Sequence, residues 1–274
     1  MEFGNACKDM RLNAFEAYSS RGAYPFAHIG AERTWDEISE FLNETVIRRV
    51  ILHDLVKGPK TRKKHEHLFE SVFRLACTYA GQSPSQALYL GEIQRMVQEP
   101  ISWRQVLSSL KLLDGTLLMK LIEPLHLRLR RQLGNYKVCL CDHALRATWQ
   151  QELVPLSASG LVKSPHLSDI AGLIAESAAG YFLSSISSID IAHFPERDAE
   201  PEVDFILTIG DQRIPVEVKY RRRIDYKDTI GLRSFIEKAH YNAPFGVLVT
   251  LMDEPGSDDT RIVSMPLSTL LLLR

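Results

Sequence analysis

Two short segments constrain the fold more than any other part of this chain: Glu202-Val-Asp-Phe-Ile-Leu and Ile214-Pro-Val-Glu-Val-Lys-Tyr. Both alternate polar and apolar residues at the period of a β-strand, and Gly210-Asp-Gln between them supplies a tight hairpin turn. Alternation puts Glu217 and Lys219 on one face of the second strand, with Val216, Val218 and Tyr220 on the other. On the first strand it sets Asp204 opposite Val203, Phe205 and Leu207. Closing the hairpin brings Asp204 beside Glu217.

Two adjacent carboxylates repel each other unless a positive charge lies between them. Mg²⁺ suits that place, because it takes one or two carboxylates and keeps waters for a substrate. Lys219, one side chain along, would orient or deprotonate a water or neutralise a phosphate. Upstream, Glu176 shares a helical face with Gly172, Ala179 and Gly180, small residues that suit close packing against a sheet. The candidate catalytic residues are therefore Asp204, Glu217, Lys219 and Glu176, with Asp204 and Glu217 as the metal ligands. Asp, Glu and Lys on a strand also form ordinary solvated surface, so spacing alone leaves both readings open.

The rest of the chain reads as α+β in three parts. Residues 1–60 form a helical lead-in, in which Trp35, Ile38, Phe41, Leu42, Val46, Ile47 and Val50 keep helical spacing after a Thr34/Glu37 capping box. A basic, Gly-Pro-broken stretch, Val56 to Lys64, links it to residues 61–153. There, helices over 65–79, 84–97 and 102–113 precede two strand-prone runs, 116–122 and 136–141. Three short helices followed by a two-stranded ribbon is the order of a winged helix-turn-helix. After a Pro-, Ser- and Gly-rich break at 154–165, residues 160–274 alternate helices and strands as a mixed-sheet α/β domain.

Over residues 101–140 seven Lys and Arg (Arg104, Lys111, Lys120, Arg128, Arg130, Arg131, Lys137) stand against two acids, Asp114 and Glu123. Ser102, Arg104 and Gln105 open the third helix, where base-reading residues would lie. Lys111, Arg128, Arg130 and Arg131 would meet phosphates, and Arg221, Arg222 and Arg223 directly follow the acidic site, which suits a phosphodiester running past it. A net charge of −1 means that any DNA binding must come from such local patches. Winged helices also serve as protein-binding modules, so the basic surface fits a protein partner as well.

The order of several elements resembles a known family. Asp204 followed by Glu217-Val-Lys219 resembles the PD-(D/E)XK nuclease motif, with Glu-Val-Asp in place of its Pro-Asp element. Across nearly the whole chain, the pieces Gly22-Ala-Tyr-Pro25, Val50-Ile-Leu-His-Asp54, the helix-turn-helix with Tyr136-Lys137 to Asp142, Ile174-Ala-Glu176, Glu202-Val-Asp-Phe, Pro215-Val-Glu-Val-Lys, Gly231-Leu-Arg-Ser-Phe and Met265-Pro-Leu are similar to the C-terminal portion of bacterial AAA-family ATP-binding proteins. That portion is a domain of unknown function following a P-loop ATPase. The resemblance implies a winged helix plus a restriction-endonuclease-like domain, with an ATPase domain or another protein as partner. It departs in lacking the ATPase half, and no Gly-x-x-x-x-Gly-Lys-Ser/Thr loop occurs, so no ATP hydrolysis is expected of this chain.

The four cysteines lack disulfide or zinc spacing, and no segment reads as a leader or membrane span. A cytoplasmic protein without a membrane partner is the expectation. Two functions stay open: a DNA-interacting, Mg²⁺-dependent phosphodiesterase, and a non-catalytic regulatory or partner-binding module with a degenerate nuclease fold.

Overall fold

The computed structural model describes residues 7–29, 33–51, 62–126, 135–196, 200–253 and 258–272. The chain is α+β, with a helical N-terminal part and a sheet-containing C-terminal part. Helix α1 (Lys8–Arg21) and α2 (Trp35–Phe41) come first, and α2 continues as a π-helix over Leu42–Ile47. The expected capping box opens α2: Glu37 N donates to Thr34 Oγ1 and Thr34 N to the Glu37 carboxylate. Three helices follow, α3 (Arg62–Thr78), α4 (Gln86–Val97) and α5 (Trp103–Asp114). They lead into an antiparallel ribbon of β1 (Met119–Ile122) and β2 (Lys137–Leu140). Of the basic linker expected at 56–64, residues 56–61 lie outside the described residues, and 62–64 are not linker but the start of α3.

The stretch at 154–165 contains more structure than its composition suggested. Helix α6 (His143–Gln150) precedes it, and α7 (Ala158–Lys163) lies within it. Val154, Leu156 and Leu161 are buried, and Ser19 Oγ of α1 accepts from both Leu156 N and Ser157 N. The long helix α8 (Ser168–Ser184) then crosses a five-stranded sheet in simple sequence order. Its strands are β3 (Asp190–Phe194), β4 (Val203–Ile209), β5 (Gln212–Lys219), β6 (Gly246–Thr250) and β7 (Ile262–Pro266). The β3–β4 and β4–β5 pairs are antiparallel, whereas β5–β6 and β6–β7 are parallel. Parallel neighbours need crossovers, and α9 (Ile230–Ile236) lies between β5 and β6. The short α10 (Leu267–Leu270) closes the chain.

The β4–β5 turn is the expected hairpin: Ile209 pairs with Gln212, leaving Gly210 and Asp211 as a two-residue loop. Gly210 sits at φ 62°, a conformation two-residue hairpin turns demand and L-residues resist.

The apolar residues divide into clusters that share the ribbon. One gathers α3, α4 and α5 with Val138 and Leu140. A second sits between α8 and the sheet and takes Ile122 and Cys139 from the same two strands. Helix α1 joins the second cluster through Phe15 and Tyr18, and its buried Arg11 makes two bonds to Asp253, at 2.7 and 2.8 Å. Residues 123–125 extend the ribbon onto β3, with Leu125 N donating to His193 O and His193 N to Glu123 O.

Glycine on α8 has the role expected at one position and not at another. A Cβ at Gly180 would lie 2.5 Å from Cys139 Sγ and 2.6 Å from Phe205 Cζ, so helix, ribbon and sheet meet there only because the side chain is absent. At Gly172 a Cβ would meet nothing within 4 Å, so the tight face begins one turn beyond Glu176. Gly180→Ala should therefore cost about 1–3 kcal/mol, the usual range for overpacking, whereas Gly172→Ala should be neutral or slightly stabilising. Thermal unfolding of the two variants side by side checks this contrast.

Candidate functional site

The carboxylates come together where β4 and β5 part. Their last ladder pair on this side is Phe205 with Val216. Beyond it the main-chain donors turn to side chains: Val218 N donates to Asp204 Oδ2 at 2.8 Å, and Asp204 N to Glu217 Oε2 at 3.4 Å. The pairing of Asp204 with Glu217 read from the alternation is thus present as contacts, and both side chains are buried.

The alternation itself breaks on β4. Phe205 and Leu207 enter the cluster under α8, but Val203 lies with Ile206 in a third cluster around Phe235 and Leu248. The β3–β4 register explains this, because Ala192 pairs with Ile206 and Phe194 with Val203. Two steps on β3 therefore span three on β4, a bulge of the kind that re-aims a side chain. It places Asp204 within reach of Glu176 on α8, and Val203 does not share the face of Phe205 and Leu207 as the simple alternation required.

At the centre of the site stands a residue that local composition groups with the basic wing. Lys137 of β2 is almost fully buried, its side chain 2% exposed, and its Nζ bonds to Glu176 Oε1. The same ammonium lies 3.2 Å from Asp204 Oδ1 and 3.7 Å from Glu202 Oε1. It also sits 5.1 Å from the centre of the Phe205 ring. Lys219 pairs separately with Glu217 Oε1 at 2.5 Å. Four acids thus face two lysines, and the expected residues Asp204, Glu217, Lys219 and Glu176 do converge. They form two linked ion-paired groups, with the peptide N–H of Asp204 joining them.

A signal for Lys137 was present in the sequence. In Lys137-Val-Cys-Leu-Cys, alternation groups the lysine with Cys139 and Cys141, not with polar neighbours, so its face is a packed one. Val138 and Leu140 point into the first cluster and Cys139 into the second, leaving Lys137 aimed at α8.

Burial and charge set the protonation of each group. Burial drives the Glu217 carboxyl up, Asp204 adds to the rise, and Lys219 only partly opposes it, giving about 8. Glu176 is likewise raised by burial and by Asp204 against the pull of Lys137. Asp204 is the acid held ionised: burial opposes it, but Lys137, the Val218 N–H and Lys219 together keep its carboxyl below the ordinary value. Lys137 stays charged because Asp204, Glu176 and Glu202 outweigh its own burial.

A divalent ion shared by the three acids does not fit this arrangement. Each oxygen of Asp204 and Glu217 already accepts from a protein donor, and an ammonium, not an open point, lies between Glu176 and Asp204. Among the described residues, no group of three or more His, Cys, Asp or Glu is placed to hold a metal ion.

The other sequence-derived candidates lie apart from this cluster. Ser102 N and Oγ both donate to Gln105 Oε1, so these two side chains are occupied in starting α5. Arg104 and Lys111 are exposed on that helix, and Lys120 is paired with Asp114. Arg128, Arg130 and Arg131 lie outside the described residues. Arg221 pairs with buried Asp228, while Arg222 and Arg223 are exposed.

Residues 172–270 match the model of DUF4143, a domain of unknown function. The DUF4143 segment covers little more than a third of the chain and holds Glu176, Asp204, Glu217 and Lys219, but not Lys137. No curated protein matches the chain. A crystal structure of protein VC1899 from Vibrio cholerae is similar at 14% identity, over 75% of this chain and 54% of that one, with a TM-score of 0.27. The chain thus spans about half the length of that protein. No helix among the described residues is long and apolar enough to cross a membrane.

Two outcomes follow from the cluster. Lys137→Met should cost about 3–5 kcal/mol, the usual penalty for leaving buried charge without its partner. Substituting Asn and Gln for Asp204 and Glu176 in the same background should recover part of it, and chemical denaturation of the set would show this. The second outcome concerns pH. Folded Glu217 binds a proton that the unfolded chain has released above about 4.5, so stability should fall as pH rises from there through about 8. Glu217→Gln should flatten that slope. Asp204 acts in the opposite sense, its contribution being lost as pH falls through the acid range. Denaturation midpoints of both proteins between pH 5 and 9 decide the matter.

Proposed function

We propose that this chain is a non-catalytic regulatory or partner-binding module, a winged helix-turn-helix joined to a domain of restriction-endonuclease-like fold whose acidic site is closed from within. The observation that carries this reading is Lys137, which comes from the ribbon and supplies the charge a metal ion would bring to an active site of that kind. A site built to bind metal and substrate keeps open coordination positions. Here the acids are occupied by ammonium groups and peptide N–H donors.

The strand order and the acid pair at the parting of β4 and β5 support the nuclease-like fold, as does the motif of Asp204 with Glu217-Val-Lys219. The resemblance to tails of bacterial AAA-family proteins makes an ATPase domain the natural partner. Arg104 and Lys111 on α5, and Arg222 and Arg223 after β5, are exposed cations that suit phosphate contacts, and Arg128, Arg130 and Arg131 add to the local positive charge of the sequence.

A second reading, a Mg²⁺-dependent phosphodiesterase, is favoured by the convergence of Asp204, Glu217 and Lys219. It requires Lys137 to leave the acids before a cation enters. Titration calorimetry with Mn²⁺, paired with a cleavage assay on duplex DNA in Mg²⁺, separates the two. The proposed module binds no Mn²⁺ and cuts nothing. Cleavage by the purified chain that disappears in Asp204→Ala would sink it in favour of the enzyme. DNA binding, measured apart from cleavage, should weaken steeply with salt and again on changing Arg128, Arg130 and Arg131 to Ala; indifference to both would leave a protein partner.

A further inference from the structure

The loop that leaves the carboxyl end of β5 carries exposed cations on either side of an exposed aromatic residue. Loops at this end of a strand are where open α/β sheets take their ligands, and β5 and β6 are parallel neighbours. Residues 221–233 hold five Lys and Arg (Arg221, Arg222, Arg223, Lys227, Arg233) against two acids, Asp225 and Asp228. Both acids are engaged within the loop. Asp228 is buried and paired with Arg221, and its Oδ2 accepts from Asp225 N at 2.9 Å. Asp225 Oδ1 accepts from Lys227 N at 3.0 Å. These bonds cap the 3₁₀ turn Tyr226–Thr229 and leave Arg222, Arg223 and Lys227 exposed.

Tyr226 is 68% exposed, whereas every other tyrosine of the chain is buried or half-buried. The Arg233 guanidinium lies 4.8 Å from the centre of its ring. Arg233 is itself held by Thr229 Oγ1 at 3.0 Å and Asp259 Oδ2 at 2.7 Å. The ring is thus braced by a fixed cation while most of the residue stays open to solvent. A lone exposed tyrosine is ordinary. One that is braced in this way and flanked by three exposed cations has the parts of a stacking platform, a ring for a base and positive charge for the phosphates beside it.

Single-stranded nucleic acid meets both requirements at once. A duplex offers the phosphates but keeps its base faces covered by neighbouring bases. We propose that the loop 221–229 binds single-stranded nucleic acid, with a base stacked on Tyr226. This rests on the nucleic-acid side of the function proposed above and narrows it to one strand form and one surface.

The test is fluorescence anisotropy of the full chain with fluorescein-labelled oligothymidylate and with a labelled duplex of equal length. Oligothymidylate should bind more tightly, with an affinity that falls steeply with salt. Tyr226→Ala should weaken it by about tenfold, the loss of one stacked base, while Tyr226→Phe keeps the ring and should bind as the parent does. Changing Arg222 and Arg223 to Ala should lower the affinity and flatten its salt dependence. These side chains are exposed, and thermal unfolding checks that the variants remain folded. Full-strength binding of oligothymidylate by Tyr226→Ala overturns the proposal. Duplex bound at least as tightly, through Arg128, Arg130 and Arg131 and without Tyr226, also overturns it but leaves DNA binding by the chain in place. Binding of neither nucleic acid removes both. Tyr226-dependent sedimentation with phosphatidylserine vesicles, in that last case, assigns the loop to a membrane surface instead.

Discussion

The buried ammonium of Lys137 is the interaction on which the C-terminal architecture depends. Stripping water from a lysine and several carboxylates is expensive, and their mutual attraction repays this only when the geometry is close and further hydrogen bonds complete it. Both conditions are met: the lysine lies against Glu176 and Asp204, and Asp204 also accepts the Val218 N–H. Because Lys137 stands on the ribbon, Glu176 on α8 and Asp204 on β4, one charge holds three separate elements in register.

The parting of β4 and β5 shows how the sheet accommodates this. A strand pair that ran on would satisfy its peptide groups by itself and leave no opening for side chains. Here the ladder stops at Phe205 and Val216, and carboxylates take over its next donors. The bulge on β4 makes the exchange feasible by turning Asp204 toward α8. Ionisation then divides by environment. Asp204, drawn on by both lysines and the Val218 N–H, stays charged, while Glu217 and Glu176 are pushed toward the neutral form, which lowers the repulsion within the group.

The elements themselves were largely legible in the sequence, for local reasons. Thr34 with Glu37 marks a helix start, Gly210-Asp211 marks a hairpin, and the β4 and β5 alternation marks a half-covered sheet, all within a few residues. The pairing of Asp204 with Glu217 follows from hairpin register alone. What could not be read depends on packing between distant segments. The bulge on β4 leaves no mark in composition, so simple alternation puts Val203 on the wrong side. Composition groups Lys137 with the surface cations, because its partners lie 39 and 67 residues away in the chain. Helix α7 and the buried leucines around it were hidden in a stretch whose Pro, Ser and Gly resemble a linker, although tertiary contacts with α1 order it.

The ribbon's two-faced character bears on how portable the C-terminal half is. The segment that matches DUF4143 begins at residue 172, well after β2, and so carries the acids without the base that neutralises them. It would also leave behind Ile122 and Cys139, which fill the underside of α8. A piece cut at residue 172, or at the Pro- and Ser-rich stretch before it, would part Glu176 and Asp204 from Lys137 and uncover the underside of α8.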